Sequence, residues 1–87
     1  MNALGKKEKQ LARLKSLPAD FTFEEARALL SSCGYTLLKG GKTGGSRVKF
    51  QLGKKVFTMH KPHPRKELLE YQVKEVLAEL KEEGFYE

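Results

Sequence analysis

The chain of 87 residues contains no tryptophan, one cysteine, three prolines and two histidines. With Cys33 alone, no intrachain disulfide is possible, which fits a reducing compartment. No run approaches the ~20 apolar residues that span a bilayer. The opening MNALGKKEKQ lacks the apolar stretch of a secretory signal. A cytoplasmic protein with no membrane partner is therefore expected. Familiar catalytic motifs are missing as well. The GKT at Gly41–Thr43 lacks the earlier glycine of a Walker loop, and there is no GxSxG elbow. The two histidines have no acid or cysteine nearby in sequence, short of the usual metal-ligand set. No metal and no cofactor is expected.

The most informative lack is of negative charge in the middle of the chain. From Lys39 to Lys66 the sequence reads KGGKTGGSRVKFQLGKKVFTMHKPHPRK, with nine Lys/Arg, both histidines and no Asp or Glu. The net charge of +6 hides this segregation. Lys6, Lys7, Lys9, Arg13 and Lys15 make the start basic. Glu67, Glu70, Glu75, Glu79, Glu82, Glu83 and Glu87 make the end acidic. Such a chain presents a dipolar surface. Its basic side suits a polyanion, RNA first, and its acidic side a basic partner. The plainer alternative is a set of solvated lysines around a loop that is merely glycine-rich.

One domain is expected from the length. Leu11, Leu14 and Leu17 recur every three residues, so Lys6–Leu17 reads as a helix with a narrow apolar stripe, stopped by Pro18. It is expected to be exposed on most of its face, packed as a flap or frayed in solution. Thr22 and Glu25 form a capping box for a second helix, with Phe21 stapled to Ala26 and Gly34 ending it. Cys33 is expected to be a buried structural thiol. Tyr35–Lys39 reads as a first strand. Ser46–Leu52 alternates, with Val48, Phe50 and Leu52 facing in and Arg47, Lys49 and Gln51 facing out. Gly53-Lys54 makes a turn, and Val56–Met59 is the third strand. The prolines of His60-Lys61-Pro62-His63-Pro64 exclude a helix or a central strand there. Leu69, Val73, Val76, Leu77 and Leu80 mark a last helix within Leu68–Phe85, ended by Gly84. The predicted fold is α+β, with helices covering one face of a three-stranded antiparallel sheet and leaving the Arg47/Lys49 face free.

Arg47 and Lys49 share a strand face about 6.5–7 Å apart, near the spacing of successive phosphates. Glycines 40–45 let backbone N–H groups approach a phosphate, and Ser46 adds a hydroxyl. Lys42, Lys61 and Arg65 extend the basic set. Polyproline geometry would set His60 and His63 on one side, ~9 Å apart. Two such imidazoles suit acid–base cleavage of a phosphodiester, with a cation at the phosphorane. The alternative is that both only bind phosphate or face solvent.

FTFEEARALLSSCGY, then GGSRVKF, then a strand leading into HKPHPRKELLEYQVKEVLAEL, resembles the HicA toxins of bacterial type II toxin–antitoxin systems. The resemblance covers about residues 20–85, with residues 1–17 as a basic helical extension. It implies a double-stranded-RNA-binding-domain-like fold and metal-independent mRNA cleavage. It also implies inhibition by a HicB-type antitoxin, so a hetero-oligomer with that partner. The family's catalytic histidine follows the Gly-Ser pair, where this chain carries Arg47, and arginine is no general base at neutral pH. His63 matches a family histidine before the last helix and is the leading catalytic candidate, with His60 beside it. Arg47 then binds phosphate. The competing readings are an RNA-binding module without catalysis and a pure protein-interaction domain.

Overall fold

The alternation of RVKFQL becomes a two-faced strand at the centre of the molecule. A computed structural model describes residues 6–38, 47–62 and 65–86. Its elements run α1 (Lys6–Lys15), α2 (Phe23–Ser32), β1 (Thr36–Leu38), β2 (Arg47–Leu52), β3 (Lys55–His60) and α3 (Glu70–Glu82). The sheet is antiparallel, in the order β1-β2-β3. This is the expected α+β architecture, and α2-β1-β2-β3-α3 follows the element order of a double-stranded-RNA-binding-domain-like fold.

The β2–β3 turn holds Gly53 at φ +61°, the first position of a two-residue hairpin loop, where glycine carries no Cβ penalty. Leu52 then pairs with Lys55, which fixes the parity of the third strand. Phe57 and Met59 face the core, while Val56, opposite Gln51, is 45% exposed. Val56 is therefore apolar but outward, because in a pleated strand parity decides the side and residue type does not.

Phe50 and Met59 pack against Phe23, Ala26, Leu29 and Leu30 of α2 and Val73, Val76 and Leu80 of α3. The capping box forms in both halves. The Thr22 Oγ1 accepts from the Glu25 N–H at 3.1 Å, and the Glu25 Oε1 accepts from the Thr22 N–H at 2.9 Å. Phe21 and Ala26, the expected staple, are both fully buried. Gly34 and Gly84 take positive φ, and the N–H groups of Tyr35 and Phe85 reach back to the carbonyls of Leu30 and Leu80. These matching helix ends bring the rings of Tyr35 and Phe85 to 6.3 Å. Cys33 is buried, and burial pushes its thiol pKa up.

The last helix, expected within Leu68–Phe85, begins at Glu70. The strand-like segment before it is zipped to the start of α2: the Phe23 N–H donates to the Lys66 carbonyl, the Leu68 N–H to the Phe21 carbonyl, and Thr22 bridges Glu67. Those bonds hold the backbone extended and delay the helix. The first helix, in turn, is no flap. Leu14 is fully buried in the common core. Leu17 does not continue the stripe, since the chain turns left-handed there (φ +53°) and leaves its side chain 40% exposed.

Arg13 stitches α1 to α2. Its guanidinium lies over the Phe21 ring and donates to both carboxylate oxygens of Glu25 at 3.0 and 3.1 Å, and to Asp20. The Arg13 hydrogen bond holds the Glu25 carboxyl below its ordinary 4.5. A depressed carboxyl contributes stability above the unfolded value, and loses it as pH falls through the lowered folded value. Arg13→Ala is therefore expected to lower the melting temperature at neutral pH by a few degrees. The difference from the parent should shrink as pH falls through the lowered Glu25 value. Melts followed by circular dichroism across that range check it.

The acidic end of α3 is answered from within. Lys55 reaches Glu82 and Glu83 at 2.9 Å and Glu79 at 3.4 Å. Buried Glu79 also accepts from the Tyr35 hydroxyl at 2.7 Å, and desolvation with this bond drives the phenol pKa far upward. One cation of the basic stretch is thus spent on the C-terminal carboxylates. That reduces the free acidity the sequence suggested for a basic partner.

Candidate nucleic-acid interface

The outward face of the sheet carries three rows set by the strand register. Arg47 lies opposite His60, Lys49 lies between Leu38 and Thr58, and Gln51 lies between Thr36 and Val56. Arg47, Lys49, Thr58 and His60 are all exposed. None of the described residues on this face is a carboxylate. The face exists because Phe50, Phe57 and Met59 are drawn inward and drive their neighbours out. Arg47 and Lys49 make no ion pair among the described residues, which leaves their charge for a ligand.

His60 closes β3 and belongs to the strand, not to the proline segment that follows. The ladder to Arg47 holds it there. The expected alignment of His60 with His63 lies outside the described residues. The His60 backbone is pinned from the other side, since the Gln72 Nε2 donates to its carbonyl at 2.8 Å. The same buried amide accepts from the Leu69 N–H at 2.9 Å, which caps α3 where Leu69 offers no side-chain acceptor. Gln72 thus fastens the open edge of β3 to α3 and fixes where the imidazole stands. Sequence reasoning missed it, because a glutamine in an amphipathic helix reads as solvent-facing. Its position three residues after the N-cap, Leu69, was the available signal.

The remaining basic residues form a second group. Lys61 has its Nζ 5.6 Å over the Phe23 ring, and the Arg65 Nε donates to the Glu67 carbonyl. With Pro62, Lys66, Thr22 and Glu24 they line a concavity of about 420 Å³ at the start of α2. The two groups meet where His60 passes into Lys61. Lys42, Ser46 and His63 lie outside the described residues. Among the described residues no three His, Cys, Asp or Glu side chains cluster as metal ligands, and no helix is long and apolar enough to cross a membrane.

At the edge of β3, Arg47, Thr58 and His60 share a concavity of about 310 Å³ with Tyr71, Gln72 and Glu75 of α3. Cations on a flat face, an imidazole at its edge and a recess beside it make an arrangement that can hold a phosphate and move a proton. Neither a curated protein nor a solved structure matches the chain significantly. A family model described as the HicA toxin of bacterial toxin–antitoxin systems matches residues 23–86, well over half of the chain. The match takes in α2, all three strands and α3, and with them the whole basic face, so the chain belongs to the HicA family and is a toxin of a toxin–antitoxin system.

Proposed function

We propose that this toxin is a metal-independent endoribonuclease that cleaves mRNA in the cytoplasm, inhibits translation and growth, and is neutralised by a HicB-type antitoxin. One observation carries the reading. The residue opposite Arg47 on the same exposed face is a histidine, His60, and the resemblance implies that Arg47 stands where the family carries its own histidine. Directly paired side chains in an antiparallel sheet have Cβ atoms about 4.5–5.5 Å apart. An imidazole is thus available within one side chain's reach of the familiar position.

In the proposed reaction one imidazole of His60 and His63 takes the proton of a ribose 2′-hydroxyl. The 2′-oxygen then attacks the adjacent phosphorus. Arg47 and Lys49 offset the charge that grows on the phosphorane oxygens. The other imidazole gives a proton to the departing 5′-oxygen, leaving a 2′,3′-cyclic phosphate and a 5′-hydroxyl. Lys61 and Arg65, with Lys42 and Ser46, would hold flanking phosphates. An antitoxin segment rich in carboxylates, laid on the carboxylate-free face in a hetero-oligomer, would exclude substrate directly.

Induced expression of the toxin is expected to arrest growth and degrade transcripts, and co-expressed antitoxin to relieve both. The second reading, an RNA-binding module without catalysis, is favoured by Arg47 itself, which cannot serve as a base. Such a module would retard RNA on a gel and leave it intact. Purified toxin that neither cleaves nor retards RNA would exclude both. Under either reading, Arg47→Ala and Lys49→Ala should each lower the slope of log affinity against log salt by about 0.7 for single-stranded RNA. Titrations at several salt concentrations measure it.

A further inference from the structure

Tyr71 is 56% exposed, and no other described aromatic residue is in the exposed class. Phe23, Phe50, Tyr35 and Phe85 pair with one another. Tyr71 has no ring partner among the described residues, and its hydroxyl makes no hydrogen bond there. Glu75 follows one helical turn later, so the two side chains stand on the same face of α3. It too is unpaired among the described residues. Glu70 is held by Lys74, and Glu79, Glu82 and Glu83 are held by Lys55. Both residues line the recess that contains Arg47 and His60. Neither side chain is engaged by another described residue, yet both border the site.

We propose that Tyr71 and Glu75 form a nucleobase subsite. The base beside the phosphate held at Arg47 stacks on the Tyr71 ring and turns its hydrogen-bonding edge to the Glu75 carboxylate. The inference rests on the ribonuclease reading and adds a base preference to it. A carboxylate repels phosphate, so it orients the strand with the backbone over the sheet and the base toward α3. Stacking accepts any base, whereas a carboxylate only accepts hydrogen bonds. Guanine has N1–H and N2–H side by side, matching the two carboxylate oxygens. Uracil offers one N–H flanked by two carbonyl oxygens, which the carboxylate repels. The subsite therefore takes a single-stranded guanosine in preference to uridine.

The test uses full-length toxin and short uridine oligonucleotides, with and without one guanosine, 2′-O-methylated throughout so that no 2′-hydroxyl can attack. Fluorescence anisotropy reads the affinity. The parent should bind the guanosine-containing strand about tenfold more tightly. Tyr71→Ala should weaken binding of both strands by about tenfold, and Tyr71→Phe should restore it. Glu75→Gln should abolish the guanosine preference. Unchanged affinity in Tyr71→Ala, or an intact preference in Glu75→Gln, would overturn the subsite. If binding to both strands persists and the salt slope still falls in Arg47→Ala, the ribonuclease reading survives that result. A parent that binds neither strand removes both.

Discussion

His60→Ala is expected to lower RNA cleavage by about 10²–10⁴-fold, the usual range for loss of a general acid or base. It should leave the melting temperature unchanged. The fold holds this residue by its backbone carbonyl, through Gln72, and by the ladder to Arg47. Alanine keeps both. The side chain is exposed and makes no bond among the described residues, so a loss of activity would be chemical and not structural. His63→Ala is the companion variant, with a similar loss expected because the proposed reaction needs two imidazoles. The sharper experiment restores the family's arrangement. Arg47→His in the His60→Ala background places an imidazole directly across the ladder on the same face, with Cβ atoms about 4.5–5.5 Å apart. Cleavage should partly return, at the cost of weaker RNA binding. Hydrolysis of a fluorogenic RNA together with growth on induction measures all four proteins. If His60→Ala and His63→Ala both cleave like the parent, neither imidazole takes part and the site assignment fails.

The basic face could be read from the sequence because its cause is local. Parity alone put Val48, Phe50 and Leu52 on one side of the strand and Arg47 and Lys49 on the other. The capping box and the glycine-ended helices were equally legible, since each depends on residues three to five apart. The third strand includes Lys55 and His60 because the Gly53-Lys54 turn pairs Leu52 with Lys55, a register that extends the strand past the apolar run Val56–Met59. That register turned Val56 outward and moved His60 out of the proline segment into the ladder. The delayed start of α3 could not be read, because it depends on contact between distant segments, a backbone zipper between residues 21–23 and 66–68. Lys55 looked like one more surface cation until α3 placed three carboxylates around it. Tyr71 and Glu75 belong to the site only because α3 packs against the edge of β3 beside His60.

Leu14→Ala should be the most damaging of the single substitutions in α1, costing about 2–5 kcal/mol of stability. A domain of this kind has only about 5–15 kcal/mol to lose. A fall in melting temperature of roughly 10 °C or more should follow, since each kcal/mol shifts a domain of this size by about 4–8 °C. The prediction follows from burial. Leu14 is fully buried among α2 and α3 residues, Leu11 packs at the margin of the same cluster, and Leu17 has turned away. Leu11→Ala should therefore cost less and Leu17→Ala almost nothing, although the three leucines look equivalent in sequence. Deleting residues 1–17 removes Leu14 and Arg13 together. It uncovers the side of Phe21, which is fully buried in the intact chain and stacked under the Arg13 guanidinium. The family match begins at residue 23, so a helical add-on would predict that the truncated chain still melts cooperatively at the parent's temperature. The packing predicts instead a broad, early transition and binding of an apolar dye at room temperature. Loss of toxicity in the truncated chain would then follow from loss of the fold that holds Arg47 opposite His60. Restoring the helix as a separate peptide should recover the melt only in proportion to its binding, with the Leu14→Ala peptide failing to do so.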